Sequence, residues 1–193
     1  MQARADETRR QILRYALELF SDQGYFNTSV HDIRRVAGVS IGAIYHHFGT
    51  KEGVARALYA DILDQLDTAI AACINRPGTV EERCKALVGL LFAQTEQAPR
   101  LLTFALYARH REFMPEEPPV CSSRPFVRMR DLVEAGMAAG EIRSMDPMIA
   151  AASLFGGPIR LMQLRLEGVL QQPLPALLEE SWACAWRRRA SSA

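Results

Sequence analysis

The sequence predicts an all-α protein, and three observations support this prediction. Apolar residues recur at helical spacing along most of the chain. Capping residues precede many of these stretches, and Gly or Pro follows them. No stretch shows the strict apolar–polar alternation of a half-buried strand. We expect about nine helices, three short ones in a small N-terminal head and six longer ones in a larger body.

The first helix is expected over about 7–23. Its apolar positions recur at spacings of three, four and seven residues. Thr8 and Gln11 have the spacing of a capping box, and Gly24 would end the helix.

Two short helices joined by a tight turn follow. Ser29 and Asp32 have the spacing of a second capping box, and Gly38 would end the helix that they start. Ser40 would cap the third helix. The expected bounds are about 30–37 and 41–48.

Pro and Gly residues divide the rest of the chain into longer helices. Thr50 would cap the fourth helix, and Pro99 would open the sixth in its first turn. Three prolines make 114–123 a loop, and 156–158 (Gly-Gly-Pro) predicts an interruption or bend. The expected bounds are about 51–74, 80–97, 99–113, 124–139, 147–168 and a last helix ending near Arg189.

Composition indicates a soluble globular protein. The chain has 193 residues, of which 49% are hydrophobic and 23% charged. No apolar run reaches the roughly 18 residues of a membrane span, and the N-terminus is polar, so we expect a cytoplasmic protein without membrane contact. The cysteines lack the spacing of zinc or disulfide sites and are interpreted as reduced structural residues, with redox sensing as the alternative. They are Cys73, Cys84, Cys121 and Cys184. No metal or other cofactor is expected.

Charge is distributed unevenly. The net charge is +1, but residues 1–58 hold eight Lys or Arg against six Asp or Glu, and three of the four His. Residues 59–193 hold fifteen Lys or Arg against sixteen Asp or Glu. The excess is small but has the sign needed for phosphate contact at the N-terminal end.

Residues 28–54 have the dimensions of a helix-turn-helix. At about 100° per residue, Ile44 and Phe48 face the core, whereas Gly42 and His46 face outward. Gly42 and Ala43, which flanks this outward face, carry almost no side chain, and this would let the helix approach a major groove closely. The alternative is a packed or solvated helix end, and periodicity alone places Ile41 in the core.

This window closely resembles the N-terminal DNA-binding domain of the TetR family of transcriptional repressors. The first helix also fits, so the resemblance covers about residues 8–58. The rest of the chain resembles only the all-helical plan of the family. The resembling features are Thr28, the turn from Val36 to Ser40, Gly42, Tyr45, His47, Phe48 and the run from Thr50 to Glu52.

The resemblance implies a role for each matching position. It exposes Ile41 to DNA, against the periodicity, and an apolar residue there favours thymine-methyl contact and shape readout. It implies a DNA-binding domain over 1–50 and an effector-binding and dimerisation domain over 51–193. The implied phosphate contacts are Thr28, Tyr45, His47 and Lys51. The implied base contacts are Ser40, Ile41, Gly42, Ala43 and His46.

The body shows no catalytic arrangement, so we assign no catalytic residue and expect no enzyme. His110 and its charged neighbours are interpreted as a solvated helix face. The resemblance implies a pocket for a small apolar effector, although ordinary core is an alternative for each of its residues. The expected lining is Phe92, Phe104, Tyr107, His110, Met129 and Phe155.

The last two helices carry more apolar surface than a thin helix pair can bury. Pairing with a second copy would make a four-helix interface, and burial within the chain is the alternative. The expected interface residues are Leu154, Ile159, Met162, Leu166, Leu178, Trp182 and Trp186. Arg187, Arg188 and Arg189 would stabilise the end of the last helix.

The functional hypothesis is a homodimeric repressor that binds a palindromic double-stranded operator and is released by an effector. One alternative is a transcriptional activator. Another is a helical ligand-binding protein or enzyme whose head has lost DNA affinity. The sequence does not specify the effector, the operator or the target genes.

Overall fold

The computed structural model describes residues 2–107 and 110–186, without the side chains of Gln2, His110 and Arg111. The described residues form an all-α fold, as expected. Short 3-10 helices lie at Val120–Ser122 and Leu174–Leu177. The α-helices are α1 Gln2–Gln23, α2 Val30–Ala37, α3 Ile41–Phe48, α4 Lys51–Ile74, α5 Val80–Gln97, α6 Pro99–Tyr107, α7 His110–Phe113, α8 Arg124–Ala138, α9 Pro147–Leu166 and α10 Leu178–Trp186.

Local capping sets the bounds of the short helices. The Ser29 hydroxyl accepts a hydrogen bond from the Asp32 backbone N–H, and the Asp32 carboxylate accepts one from the Ser29 N–H. Ser40 caps α3, and the Thr50 hydroxyl accepts from the Gly53 N–H at the start of α4. The expected bounds of α2 to α5 are therefore confirmed.

The predicted start of the first helix was wrong. Helix α1 begins at Gln2, and Thr8 lies in its interior, where its hydroxyl donates to the Arg4 carbonyl one turn earlier. The Gln11 amide instead donates to the Ala37 carbonyl at 2.7 Å, which joins α1 to the end of α2. Thr and Gln can bond to helix carbonyls or to other segments as well as cap, so their spacing alone was misleading.

Other expectations concern the later helices. The helix expected over 99–113 is described as α6 and α7 on either side of residues 108–109, which lie outside the described part. Helix α9 continues through Pro158 without interruption, and the Pro158 ring is buried. Burial of the ring offsets the hydrogen bond that proline cannot donate. The last segment is a 3-10 turn followed by α10, and the end expected near Arg189 lies outside the described residues.

The chain divides into two compact units. Unit 1 comprises Met1–Asp64 and Arg100–Pro119, and unit 2 comprises Gln65–Pro99 and Val120–Ala193. Aromatic residues from α6 and α7 pack within unit 1, and the expected domains over 1–50 and 51–193 stay predictions. The ring pairs are Phe20 with Phe104, centroids 6.0 Å apart, and Tyr25 with Phe113, 3.9 Å apart.

Unit 2 is built around α5. Apolar residues along this helix are buried, and α8, α9 and α10 pack against it. The Glu141 carboxylate accepts hydrogen bonds from the Val80 and Glu81 N–H groups and so caps α5 from the segment after α8. The buried residues of α5 are Val80, Cys84, Leu87, Val88, Leu91, Phe92 and Thr95.

The cysteine environments differ. Burial raises the pKa of the Cys84 thiol to about 12 and also raises the pKa of Cys73, which favours the protonated thiol at both positions. Cys121 and Cys184 are exposed. Among the described residues, no group of three His, Cys, Asp or Glu side chains could hold a metal ion. None of the described helices is long and apolar enough to cross a membrane.

Candidate nucleic-acid interface

The turn between α2 and α3 sets the position of α3. Gly38 has φ +65° and ψ 28°, a left-handed conformation that glycine adopts with little strain. The N–H groups of Gly38 and Val39 both donate to the Arg34 carbonyl. The turn thus satisfies the end of α2 and directs the chain into α3.

Helix α3 has an inner and an outer face. Ile44 is fully buried, whereas Gly42 and His46 are exposed and Tyr45 is 49% exposed. These are the faces that helical periodicity predicts for Ile44, Gly42 and His46. Phe48 is half-buried beneath the Arg9 guanidinium, which lies 5.7 Å from the ring centroid.

The beginning of α3 presents little side-chain bulk. Ile41 and Ala43 are half-buried, and a Cβ added at Gly42 would lie 3.9 Å from its nearest neighbour, the Ser40 hydroxyl. This hydroxyl accepts from the Ala43 N–H at 3.1 Å and can still donate its own hydrogen. The base contacts of Ser40, Ile41, Gly42, Ala43 and His46 stay predictions.

Two of the expected phosphate-binding residues lie on the flanks of the outer face. Tyr45 is exposed, and His47 is half-buried with its ring centroid 5.4 Å from that of His46. Both can donate hydrogen bonds to phosphate oxygens. Their phosphate contacts stay predictions.

Thr28, also expected to contact phosphate, is 1% exposed. Its hydroxyl donates to the Gly24 carbonyl at 3.0 Å and lies 3.4 Å from the Leu19 carbonyl. In this arrangement the hydroxyl secures the loop after α1. A direct phosphate contact, which stays a prediction, would require the hydroxyl to leave these carbonyls.

Lys51 is the most constrained of the expected phosphate-binding residues. Its ammonium group donates to the carbonyls of Tyr25 at 3.1 Å and Thr28 at 3.0 Å and lies 4.1 Å from the Tyr25 ring centroid. Two of its three N–H groups are thus used within unit 1. The third N–H remains for another acceptor, and the phosphate contact of Lys51 stays a prediction.

Tyr25 is a structural anchor to which sequence reasoning assigned no role. Its hydroxyl donates to the Glu52 carboxylate at 3.0 Å. Burial is the main cause that raises the pKa of Tyr25, with this hydrogen bond second. Hydrogen bonds, first from its own backbone and then from Tyr25, lower the pKa of Glu52. The loop after α1 is therefore tied to the first turn of α4.

The sequence analysis also assigned no role to Gly53 and Arg34. A Cβ on Gly53 would lie 1.9 Å from the Phe48 carbonyl oxygen, so only glycine allows α3 and α4 to approach this closely. Arg34 is exposed and makes no ion pair within the described residues. The family-like motifs could have drawn attention to Tyr25, but nothing in the sequence distinguishes Gly53 from an ordinary helical glycine.

Four of the expected effector-pocket residues line two described cavities. Phe104 and Tyr107 line a cavity of about 310 Å³ in unit 1. Met129 and Phe155 line another, of about 250 Å³, in unit 2. Phe92 is fully buried in unit 2, and the side chain of His110 lies outside the described part. A shared pocket for the six residues stays a prediction.

Several expected dimer-interface residues are already covered within unit 2. Trp182 and Trp186 stack with centroids 5.3 Å apart, and the Trp182 indole N–H donates to Glu81 at 3.3 Å. Leu154 and Met162 are also buried. The remaining three are half-buried, namely Ile159, Leu166 and Leu178.

A groove of about 600 Å³ lies beside these residues, on α9 and α10. Its lining includes Gly157, Leu161, Leu177 and Cys184. The dimer contacts of the seven expected residues stay predictions.

The N-terminal part of the chain is similar to known regulatory proteins. The family model for bacterial regulatory proteins of the tetR family matches residues 12–58. The HTH-type transcriptional regulator BetI of Escherichia coli (strain K12) is 36% identical over 90 residues. That alignment covers 46% of this chain and 46% of BetI, so the chain spans about half the length of the curated relatives it matches.

Solved structures share the whole fold. A TetR family transcription regulator from Marinobacter aquaeolei VT8 superposes with a TM-score of 0.82 at 24% identity and covers 100% of both chains. FadR from Bacillus subtilis, solved in complex with stearoyl-CoA, has a TM-score of 0.79 at 21% identity and covers 92% of this chain and 97% of its own.

Proposed function

We propose that the protein is a sequence-specific DNA-binding transcription regulator in the cytosol, and the match of residues 12–58 to the model of the tetR family supports this proposal. The main supporting observation is the geometry of α3. The Gly38 turn holds this helix so that Ile44 is buried and the small face around Gly42 is exposed. A major groove admits a helix with such a face.

The phosphate-binding part of the interface surrounds that face. Tyr45 and His47 flank it, and the third N–H of Lys51 and the Arg34 guanidinium supply positive charge nearby in the sequence. These groups would set the register on the duplex, while Ser40, Ile41, Ala43 and His46 would read base edges and methyl groups.

The regulator would act as a homodimer. One short recognition helix buries too little surface for specific affinity, whereas two helices about 34–36 Å apart read both halves of a palindrome. The groove lined by Gly157 and Leu161 on α9 and α10 would receive the same surface of a second copy. Ile159, Leu166 and Leu178 would add apolar area at its margins.

A small effector would control DNA binding. FadR from Bacillus subtilis binds stearoyl-CoA in its structure, which supports an apolar or acyl effector for this chain. The effector would favour a state in which the two recognition helices no longer match the operator spacing, and its differential affinity for the two states would limit the response. Helix α4 contributes to both compact units and would carry this change. Repression is the proposed outcome, and binding alone rather than catalysis would produce it.

An electrophoretic mobility shift with DNA upstream of the protein's own gene tests the proposal. We expect specific binding that competitor DNA of unrelated sequence does not remove, with affinity falling steeply as salt rises. The test variant is Gly42→Glu, which adds a negative charge to the proposed DNA-facing surface and leaves the Ser40 cap of α3 in place. Equal binding by this variant, or no shift at any salt concentration, would exclude α3 as a DNA reader.

A further inference from the structure

A cavity of about 250 Å³ lies in unit 2 among the Val120–Ser122 turn, α8 and α9. Most of its wall is apolar, and Met148 at its rim is 46% exposed. Methionine side chains adapt to irregular apolar ligands because they are unbranched and flexible. The apolar wall includes Phe126, Met129, Met148, Phe155 and Ile159.

Arg130 is the one charged residue among the described residues that line this cavity. It is half-buried and makes no hydrogen bond or ion pair with any other described residue. Nearby arginines differ, since Arg128 pairs with Asp67 and Arg165 pairs with Glu96. A partly buried guanidinium beside an apolar wall loses hydration, and an anionic ligand would restore its hydrogen bonds.

We propose that this cavity binds a small monocarboxylate with an apolar body. The planar guanidinium of Arg130 would bind the carboxylate through two parallel hydrogen bonds, as arginine does more readily than lysine. The apolar body would lie against the two methionines and Phe155. At about 30 Å³ per water-sized group, the cavity accommodates about eight such groups, the size of a medium-chain fatty acid.

The lining fits the other simple ligand classes less well. A cation would meet Arg130 without a carboxylate among the lining residues. A neutral apolar molecule would fill the wall but leave the guanidinium unsatisfied. A polyanion would place charge against the apolar wall, at a large desolvation cost. The claim that the ligand of this cavity is the effector rests on the proposed function. The claim that the cavity binds a carboxylate does not, because it can be tested by binding alone.

Calorimetric titration of the full chain with octanoate tests the proposal. We expect binding that is at least about tenfold weaker for octan-1-ol, which has the same chain without the charge. Arg130→Gln should weaken octanoate binding by a similar factor and leave octan-1-ol unchanged. Arg143→Gln removes an exposed charge from unit 2 outside the cavity and should have no effect. Equal binding of acid and alcohol, or equal binding by Arg130→Gln, would overturn the proposal.

Cys121 provides a second measurement, because this exposed thiol lines the same cavity. In a Cys184→Ser background, octanoate should slow alkylation of Cys121 as measured by peptide mass spectrometry. Gly156→Leu should abolish the protection. Gly156 lines the cavity, and a Cβ added there would have no neighbour within 4 Å, so the larger side chain should fill part of the site. Unchanged alkylation at saturating octanoate would place the ligand elsewhere and overturn the proposal.

The two proposals fail separately. Octanoate binding that Arg130→Gln weakens supports the site, whatever happens to DNA affinity. A mobility shift that octanoate leaves unchanged excludes octanoate as the effector but retains the carboxylate site. Loss of the octanoate response by Arg130→Gln, with DNA binding intact, would identify the cavity as the effector site.

Discussion

Lys51 combines a structural role with an expected DNA contact. Its ammonium group holds the carbonyls of Tyr25 and Thr28 and leaves one N–H for a phosphate. Both the structural bonds and the phosphate contact would position the N-terminal head on the DNA, and neither would distinguish one base from another. His46, by contrast, is exposed on the outer face of α3. The two residues should therefore affect DNA binding in different ways.

We expect Lys51→Ala to weaken binding by a similar factor on all operator sequences, and His46→Ala to change base preference. Affinities across an operator library, measured at several salt concentrations, would separate these effects. Loss of a phosphate contact should reduce the salt slope by about one. An unchanged slope together with a lower melting temperature would assign Lys51 to positioning alone. Equal losses for both variants at every site would contradict this division of roles.

Two glycines in the same domain provide a matched pair. Gly42→Ala should leave the melting temperature nearly unchanged, because its Cβ has room, but should reduce DNA affinity by filling the exposed face. Gly53→Ala should lower the free energy of unfolding by about 1–3 kcal/mol, because its Cβ would clash with the Phe48 carbonyl. Thermal unfolding and mobility shifts of both variants test this. Similar stability of the two variants would show that α3 and α4 separate easily.

At the scale of elements, one arginine secures the segment between α9 and α10. Arg165 makes two hydrogen bonds to the Glu96 carboxylate on α5, at 2.9 and 3.0 Å. It also donates to the carbonyls of Leu170 and Gln171, and Glu96 accepts from the Leu174 N–H. These side chains bond to backbone groups of the segment between α9 and α10.

Arg165→Met should therefore destabilise the protein by about 1.5–3 kcal/mol, the range for hydrogen bonds to charged groups. The control is Arg160→Gln, which removes an exposed ion pair to Glu167 on the same helix and should cost less than about 1 kcal/mol. Urea unfolding followed by circular dichroism measures both. Equal costs would show that the half-buried network adds nothing beyond a surface pair.

The same network predicts a pH dependence. The hydrogen bond from Arg165 is the main cause that lowers the pKa of Glu96 in the folded protein. A carboxylate with a lowered pKa stabilises the fold at pH values above its unfolded pKa of about 4.3. This stabilisation is lost as the pH falls through the pKa of the folded protein. The stability difference between wild type and Arg165→Met should thus be full at neutral pH and shrink below about pH 4. A difference that is constant from pH 7 to pH 3 would contradict this.

For the whole molecule, the proposed dimer depends on the groove on α9 and α10. We expect Leu161→Glu to produce monomers in sedimentation velocity and to reduce operator affinity, since one head makes half of the contacts. Val169→Glu is the control, because Val169 is 67% exposed on unit 2 and does not line the groove. Circular dichroism should show both variants folded. A dimeric, folded Leu161→Glu protein would move the interface elsewhere.

Local signals explain what was predicted well. The capping boxes and the Gly38 turn involve residues within a few positions of one another, so their pattern defines α2 and α3 directly. Thr8 and Gln11 have the same spacing without the same role, because both side chains bond to other carbonyls. Spacing alone could not separate these cases.

The sequence by itself determined the all-α fold, most helix bounds and the helix-turn-helix, because periodicity and capping act over a few residues. Only the tertiary structure decided which apolar residues are core, which aromatic rings stack on Tyr25, and where Arg130 meets an apolar cavity. These arrangements join residues far apart in the chain, and many sequences satisfy the same local patterns. Close packing excludes most of the alternative arrangements of these helices. It depends on contacts between distant parts of the chain, which a local sequence pattern does not specify.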